Sequence, residues 1–375
     1  MTQLTEDTVR SLARFRATDA PVTTCYLDLD GRVLPTHKDV QRAFDALVRQ
    51  AHVRFNGDTA HPSVISDLDR MTRHVKGYGR SSARALAMFS CTSAGLWEVH
   101  ELPVRVTNQL VIHASPYVRQ LEEIVDEYER FGVLLADRQR ARMFLYEMGE
   151  LVERTEMIEE IERRGEDNRG ELYKTRQDHQ LAEQVHQHLR HAAQMAFAVQ
   201  QKFGFDRLLV GGPNEIHSEL LSALHPYVRA RVADEALSVT TGASLVEIRR
   251  AAHDVEVRLE RKKEAGLVDR LRQAVASGGR GAAGLSAVLA ALNERRVDTL
   301  LVSRGYVAEG WRCPSCSGHF AVGRKCRVCG TGMTLVDDVV EEAVHEALTQ
   351  QVRVDVCVGN ADLDVLGRIG ALLRF

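Results

Sequence analysis

Apolar residues recur along this chain with two periods, and the switches between them set the expected layout. Pro21-Val22-Thr23-Thr24-Cys25-Tyr26-Leu27-Asp28-Leu29 is β-branched and aromatic, which predicts a strand. From Asp39 to Phe55 the period changes: Val40, Phe44, Leu47, Val48 and Ala51 fall at helical spacing. Asn56-Gly57-Asp58-Thr59-Ala60-His61-Pro62 breaks that helix, and a second is expected up to about Val75. Ala85 to Ser90 and Leu96 to Leu102 read as strands, and Tyr117 to Phe131 as a helix.

A second region opens on the apolar run Gly132-Val133-Leu134-Leu135-Ala136-Asp137. Arg138 and Gln139 turn the chain into Ala141–Tyr146, and Gly149 turns it again into Leu151–Met157, a three-stranded meander. The polar segment Glu159–Thr175 has no period and is expected to be an exposed loop. A long helix, Asp178–Phe203, precedes the strand and tight turn of Asp206-Arg207-Leu208-Leu209-Val210-Gly211-Gly212-Pro213. Strands separated by long helices indicate α/β layers. Ser244–Ala276 reads as one long helix charged on most faces, which suits a bridge between domains. Helix Gly284–Asn293, strand Val297–Ser303, a cysteine cluster, helix Val339–Thr349, strand Val352–Val358 and a terminal strand within Gly367–Phe375 complete the chain. The expectation is an α/β protein of three domains, 1–129, 130–262 and 263–375.

Composition adds exclusions. The 375 residues suit two or three domains. With 44% hydrophobic and 27% charged residues the chain has an ordinary globular balance. Met1–Arg16 is charged and lacks an apolar core, and no apolar run approaches the roughly 18–20 residues that span a bilayer. A cytoplasmic protein without a membrane partner is expected. The net charge of −3 gives no global basic signature for nucleic acid, so any such binding must come from local patches. Of the 49 basic residues seven are lysine and 42 arginine. A GC-rich genome produces that bias; arginine also suits phosphate contact and base stacking better than lysine.

Four of the seven cysteines form two CxxC knuckles, Cys313-Pro-Ser-Cys316 and Cys326-Arg-Val-Cys329, nine residues apart. Each knuckle turns two thiolates toward one point, and two knuckles complete a tetrahedral sulfur site. With all four positions filled by protein, one structural zinc ion is expected, with no site left for catalytic water. Arg312, Arg324, Lys325 and Arg327 decorate this ribbon, as a solvated surface or as a contact for RNA or a partner, and His319 is expected at its surface. Cys25, Cys91 and Cys357 lie in apolar strand-like runs and read as small buried hydrophobes.

No Ser-His-Asp or GxSxG pattern is present. Gly211-Gly212-Pro213 follows a strand without a GxGxxG or Walker pattern around it and reads as a turn. His179, His186, His188 and His191 share one helix with no carboxylate or thiolate partner in the pattern, and a solvated polar face is expected. Arg169, Tyr173, Lys174, Arg176 and His179 cluster ahead of and at that helix start, where the cations could neutralise phosphates and Tyr173 could stack on a base. Arg73, Lys76 and Tyr78, in a segment mixing base and aromatic, form a second RNA-binding candidate.

In order and spacing these elements resemble the archaeal and eukaryotic class-1 release factor and Pelota family. Three stretches carry the resemblance: Phe131–Asp137 with Ala141-Arg142-Met143-Phe144, Phe205–Pro213, and Gly367–Phe375. It implies three domains of that type, the third with a zinc ribbon, here 311–335. Members that release peptides carry a Gly-Gly-Gln loop before the middle-domain helix. At the matching place, Arg164–Gln177, this chain has no such triplet, and the stop-codon motif Asn-Ile-Lys-Ser is absent from the first domain. These departures look more like the bacterial branch and its Balon-type ribosome hibernation factors. The resemblance then implies a non-catalytic protein that binds ribosomal RNA in the vacant A site and can associate with elongation factor Tu. The alternative is a rescue factor with peptidyl-tRNA hydrolase or nuclease activity at 164–177.

Overall fold

A strand that is apolar at every position must have both faces covered, and for Phe131–Ala136 helices from two parts of the chain meet that demand. The computed structural model describes residues 4, 6–17, 20–31, 34–54, 61–79, 83–127, 129–147, 149–158 and 171–375. Within these, the side chains of 6, 54, 126, 127, 156, 158 and 171–179 are not described. Two compact units result: Met1–Glu127 with Lys262–Phe375, and Tyr128–Arg261. Among the described residues no helix is long and apolar enough to cross a membrane.

The first unit begins with α1 (Glu6–Arg14), β1 (Val22–Asp28), α2 (His37–Arg54), α3 (Pro62–Gly77), β2 (Ala85–Cys91), β3 (Leu96–Leu102), β4 (Gln109–His113) and α4 (Arg119–Glu127). The strands make an antiparallel sheet in the order β3-β2-β1-β4. Cys25 and Leu27 of β1, Leu86 and Met88 of β2, and Leu110 and Ile112 of β4 form one core with Phe44, Leu47, Met71 and Val75 of α2 and α3. Pro62 opens α3, where its missing N–H costs nothing, and the His61 ring accepts the Ser63 N–H at 3.2 Å. β4 escapes sequence reading because five residues are too few to display a period. α4 ends earlier than expected, since Phe131 is already committed to the next strand.

The second unit holds β5 (Phe131–Ala136), β6 (Arg140–Glu147), β7 (Glu150–Ile158), α5 (Glu171–Phe203), β8 (Arg207–Gly211), α6 (Asn214–Ala223), α7 (Pro226–Arg229) and the first half of α8 (Leu245–Ala276). The sheet order is β7-β6-β5-β8, with β8 parallel to β5. Alternate residues of β5 divide its faces: Leu134 and Ala136 pack with Leu189, Ala193 and Ala196 of α5, and Phe131, Val133 and Leu135 with Ile248, Ala252 and Val255 of α8. α5 starts at Glu171, so the last residues of the expected loop are helical; residues 159–170 lie outside the described ones. α8 starts on a capping box: Ser244 Oγ accepts the Glu247 N–H, and the Glu247 carboxylate accepts the Ser244 N–H.

The first unit resumes with β9 (Gly281–Ala283), α9 (Leu285–Asn293), β10 (Val297–Ser303), β11 (Gly310–Arg312), β12 (His319–Phe320), β13 (Thr334–Val336), α10 (Val339–Thr349), β14 (Arg353–Cys357), α11 (Ala361–Val365) and β15 (Ile369–Leu373). β14-β10-β15-β9 is one sheet and β12-β11-β13 a small antiparallel ribbon inserted before α10. Cys25, Cys91 and Cys357 are buried, as expected of packing residues.

Gly211 and Gly212 end β8 where the backbone approaches β5. A Cβ on Gly211 would sit 2.6 Å from Leu135 Cδ2, and one on Gly212, whose φ is +142°, would overlap the Ala136 carbonyl oxygen. Gly212→Ala is therefore expected to destabilise the second unit by about 2–3 kcal/mol, read as a lower denaturation midpoint; unchanged stability would contradict this packing account.

Candidate metal centre and its buried polar junction

The ribbon is built from two knuckles of the same geometry. Cys313 N donates to Gly318 O at 2.9 Å and Ser317 N to Cys313 O at 2.9 Å. In the second knuckle Cys326 N donates to Thr331 O at 2.8 Å and Gly330 N to Cys326 O at 2.9 Å. The equivalent residues Ser317 and Gly330 both take left-handed backbone, φ +59° and +74°. Each knuckle thus turns two sulfurs inward. Sγ of Cys313 lies 3.4 Å from that of Cys329, and Cys316 3.5 Å from Cys326; all four lie within 4.8 Å of one another. A tetrahedral ion with bonds of about 2.3 Å separates its sulfurs by about 3.8 Å, so the four thiols could hold a metal. Their protons are unevenly held. Thr331, through its hydroxyl and N–H, holds Cys329 down to about 6. Although the Gly318 N–H works to lower it, the neighbouring sulfurs push Cys316 up to about 12. A cation would remove that conflict by favouring four thiolates.

The ribbon joins a buried polar junction that the sequence did not disclose. His319 is not a surface residue. Its ring Nε2 lies 3.1 Å from Glu342 Oε2, and its backbone exchanges hydrogen bonds with the Asn293 side chain at 2.8 and 3.0 Å. His113 of β4 meets the other oxygen of Glu342 at 2.8 Å. Next to it Glu341 Oε1 accepts the backbone N–H groups of Val118 and Arg119 at 2.9 and 3.3 Å. Asp338 accepts the Tyr117 hydroxyl at 2.9 Å with one oxygen and caps α10 through Val340 N with the other. Arg119 donates to Tyr306 O at 2.9 Å and lies 3.4 Å from Asp338. Burial pushes Glu341 up to about 8 against the pull of Arg119. Burial works to raise Glu342 too, but His113 and His319 hold it far below the carboxylate range. Burial drives His345 down to about 3, and neither of its ring nitrogens has a hydrogen-bond partner among the described residues.

The RNA-binding candidates separate. Arg73 and Lys76 are exposed on α3, whereas Tyr78 is half-buried against the first core, its ring 6.0 Å from that of His74. The same face carries an arrangement sequence reading missed, Arg70 stacked 4.4 Å above Trp97. Arg169 lies outside the described residues. Tyr173, Lys174, Arg176 and His179 fall in the opening turns of α5, where side chains are not described. The expected solvated histidine face is not uniform. His188 is fully buried, and His186 pairs with Glu219 at 2.7 Å.

Residues 116–257 match the model of bacterial archaeo-eukaryotic release factor family 10. Over that segment the chain is similar to the bacterial branch of the release factor and Pelota superfamily. Similarity extends beyond the matched segment. Peptide chain release factor subunit 1 of Pyrococcus abyssi is 23% identical over 91% of this chain and 92% of its own length. The protein of that name from Thermococcus onnurineus is 24% identical over the same shares. Among solved structures, Archaeoglobus fulgidus Pelota covers 78% of this chain and 79% of its own at 20% identity and TM-score 0.31. Ribosome-bound archaeal Pelota covers 100% and 95% at 14% identity and TM-score 0.42.

Elemental analysis of purified protein is expected to find about one metal ion per chain, and Cys316→Ser to lose it and destabilise the ribbon; intact, reduced cysteines without metal would exclude the centre. His345 gives a pH dependence. Its ring titrates near the ordinary 6.5 when unfolded and near 3 when folded. The unfolded chain therefore takes up the proton first, and this contribution is complete above about 6.5 and is lost as pH falls toward 3. His345→Gln is expected to flatten that acid limb in urea titrations at successive pH values.

Proposed function

We propose that this chain is a cytoplasmic, ribosome-associated factor that occupies the vacant A site and silences or protects the ribosome without catalysis. The observation that carries the proposal is the chain-long likeness to peptide chain release factors, centred on the family match at 116–257. A protein related over its whole length to one that works on the ribosome shares its domain plan, while the chemistry rests on a few residues. Those residues are missing: the sequence holds no Gly-Gly-Gln. Paired glycines let a backbone approach an ester closely. Here the corresponding stretch offers Arg164, Glu166, Asp167, Arg169, Glu171 and Lys174, with Gly165 and Gly170 isolated. Its cations suit phosphate contact instead. The ion held by the four cysteines is zinc in this proposal, structural because no coordination position is open. Elongation factor Tu is the proposed protein partner, and the hibernation role is the Balon-type one.

The relatives' name favours a second reading, a rescue factor that hydrolyses peptidyl-tRNA. One pair of experiments separates the two. The protein is expected to co-sediment with vacant bacterial ribosomes at low salt and to dissociate as salt rises, because phosphate contacts release counterions. Lys174→Glu with Arg176→Glu is expected to weaken that binding about tenfold or more while leaving the melting temperature unchanged. Loaded ribosomes are expected to release no peptide above background with any A-site codon. Protein remaining at the top of the gradient sinks the proposal. Release that mutation of 164–177 abolishes establishes the second reading.

A further inference from the structure

We infer that the tip of the cysteine ribbon is an RNA-docking surface that grips the phosphate backbone through Arg324, Lys325 and Arg327. Between Trp311 and Val336 the chain carries four cations and not one carboxylate. Elsewhere 45 basic residues face 52 acidic ones, a net charge of −7, so this segment departs from the rest of the chain. Arg312 sits at the root, where its charge reaches Arg16 and His113. The other three lie together on the second knuckle and the turn leading into it, all exposed, and none forms an ion pair among the described residues. Val322 and Val328, 61% and 74% exposed, stand among them.

Four thiolates around a divalent ion carry two negative charges, which the four cations exceed, so the loaded ribbon remains positive. Neutralising the sulfur centre therefore does not use up the basic residues. Their spacing is fixed: the two knuckles share hydrogen bonds at matching positions, and the ribbon root is fastened by Asn293 and by Glu342. Cations held on a rigid scaffold lose little freedom on binding, and small apolar side chains beside them can lie against sugar. An RNA backbone fits this combination; an acidic protein segment is the competing partner and is separated by experiment.

The inference deepens the ribosome proposal and rests on it only for the identity of the RNA. The test uses full-length protein with its metal content measured. Arg324→Glu, Lys325→Glu and Arg327→Glu are combined, and a second variant replaces all three by Gln. Retained metal and melting temperature show that the ribbon is folded. Affinity for vacant ribosomes and for a short RNA duplex is followed against salt, with polyglutamate as the acidic-chain probe. Each neutralised phosphate contributes about 0.7–0.9 to the logarithmic salt slope, so the slope is expected to fall by about 2–3 in either variant. Unchanged slope and affinity for both RNAs overturn the inference while leaving ribosome binding intact. Binding of duplex but not ribosome, still dependent on the three residues, supports the inference and sinks the ribosome proposal. Binding of polyglutamate in preference to RNA overturns it in favour of an acidic protein partner.

Discussion

Burying Glu341 and Glu342 side by side on α10 imposes the tightest demand in the first unit. A carboxylate withdrawn from water costs several kcal/mol unless charge and hydrogen bonds replace its hydration. α10 itself supplies little, since its other buried residues are apolar apart from His345, whose ring nitrogens have no hydrogen-bond partner among the described residues. The replacements come from distant chain: His113, Arg119 and the N–H groups of Val118 and Arg119 from the start, His319 from the ribbon. α10 can therefore pack in this place only when those segments are already present. That is a physical reason why residues from both ends of the sequence condense into one unit.

The same junction bears on the ribbon. A small antiparallel ribbon buries too little apolar area to hold its own shape, and the core around Cys313, Cys326 and Met333 is slight. The Asn293–His319–Glu342 contacts at one end compensate, and a metal ion held by the four thiols at the other would add to them. With both in place the ribbon would be fixed at each end, the rigidity that the inferred docking surface requires.

Much of this layout was legible. The apolar run Val133–Ala136, the helical period of α2 and the helix read from Ser244 each carry their structure in a local stretch, because a local pattern determines a local conformation. The cysteine spacing did the same for the ribbon, since both knuckles close within a few residues. The polar junction was not legible, because the contacts that Tyr117, Val118 and Arg119 make with Asp338 and Glu341 span more than 200 residues. One signal existed: Glu341, Glu342 and His345 interrupt an otherwise apolar helix, and charged residues at inward positions imply partners elsewhere. His188 misled for a related reason. On a long helix rich in Gln, Glu and His, the period alone does not show which polar residue faces the sheet.

The glycines of the second unit illustrate how fold and chemistry part company. Gly211 and Gly212 are a glycine pair at a strand end, which in isolation invites a functional reading. Their surroundings assign them to packing, for Leu135 and the Ala136 carbonyl occupy the space side chains would need. Gly132 is similar, with Phe205 at 2.9 Å from where its Cβ would be. These positions are constrained by the β5–β8 pairing whatever the protein does. A glycine pair that serves chemistry has the opposite signature, open space in front of it for a substrate to enter. The superfamily likeness over 116–257 overlaps the packed glycines, and so it speaks for the scaffold. What acts on a bound partner must be argued from the surfaces that scaffold leaves uncovered.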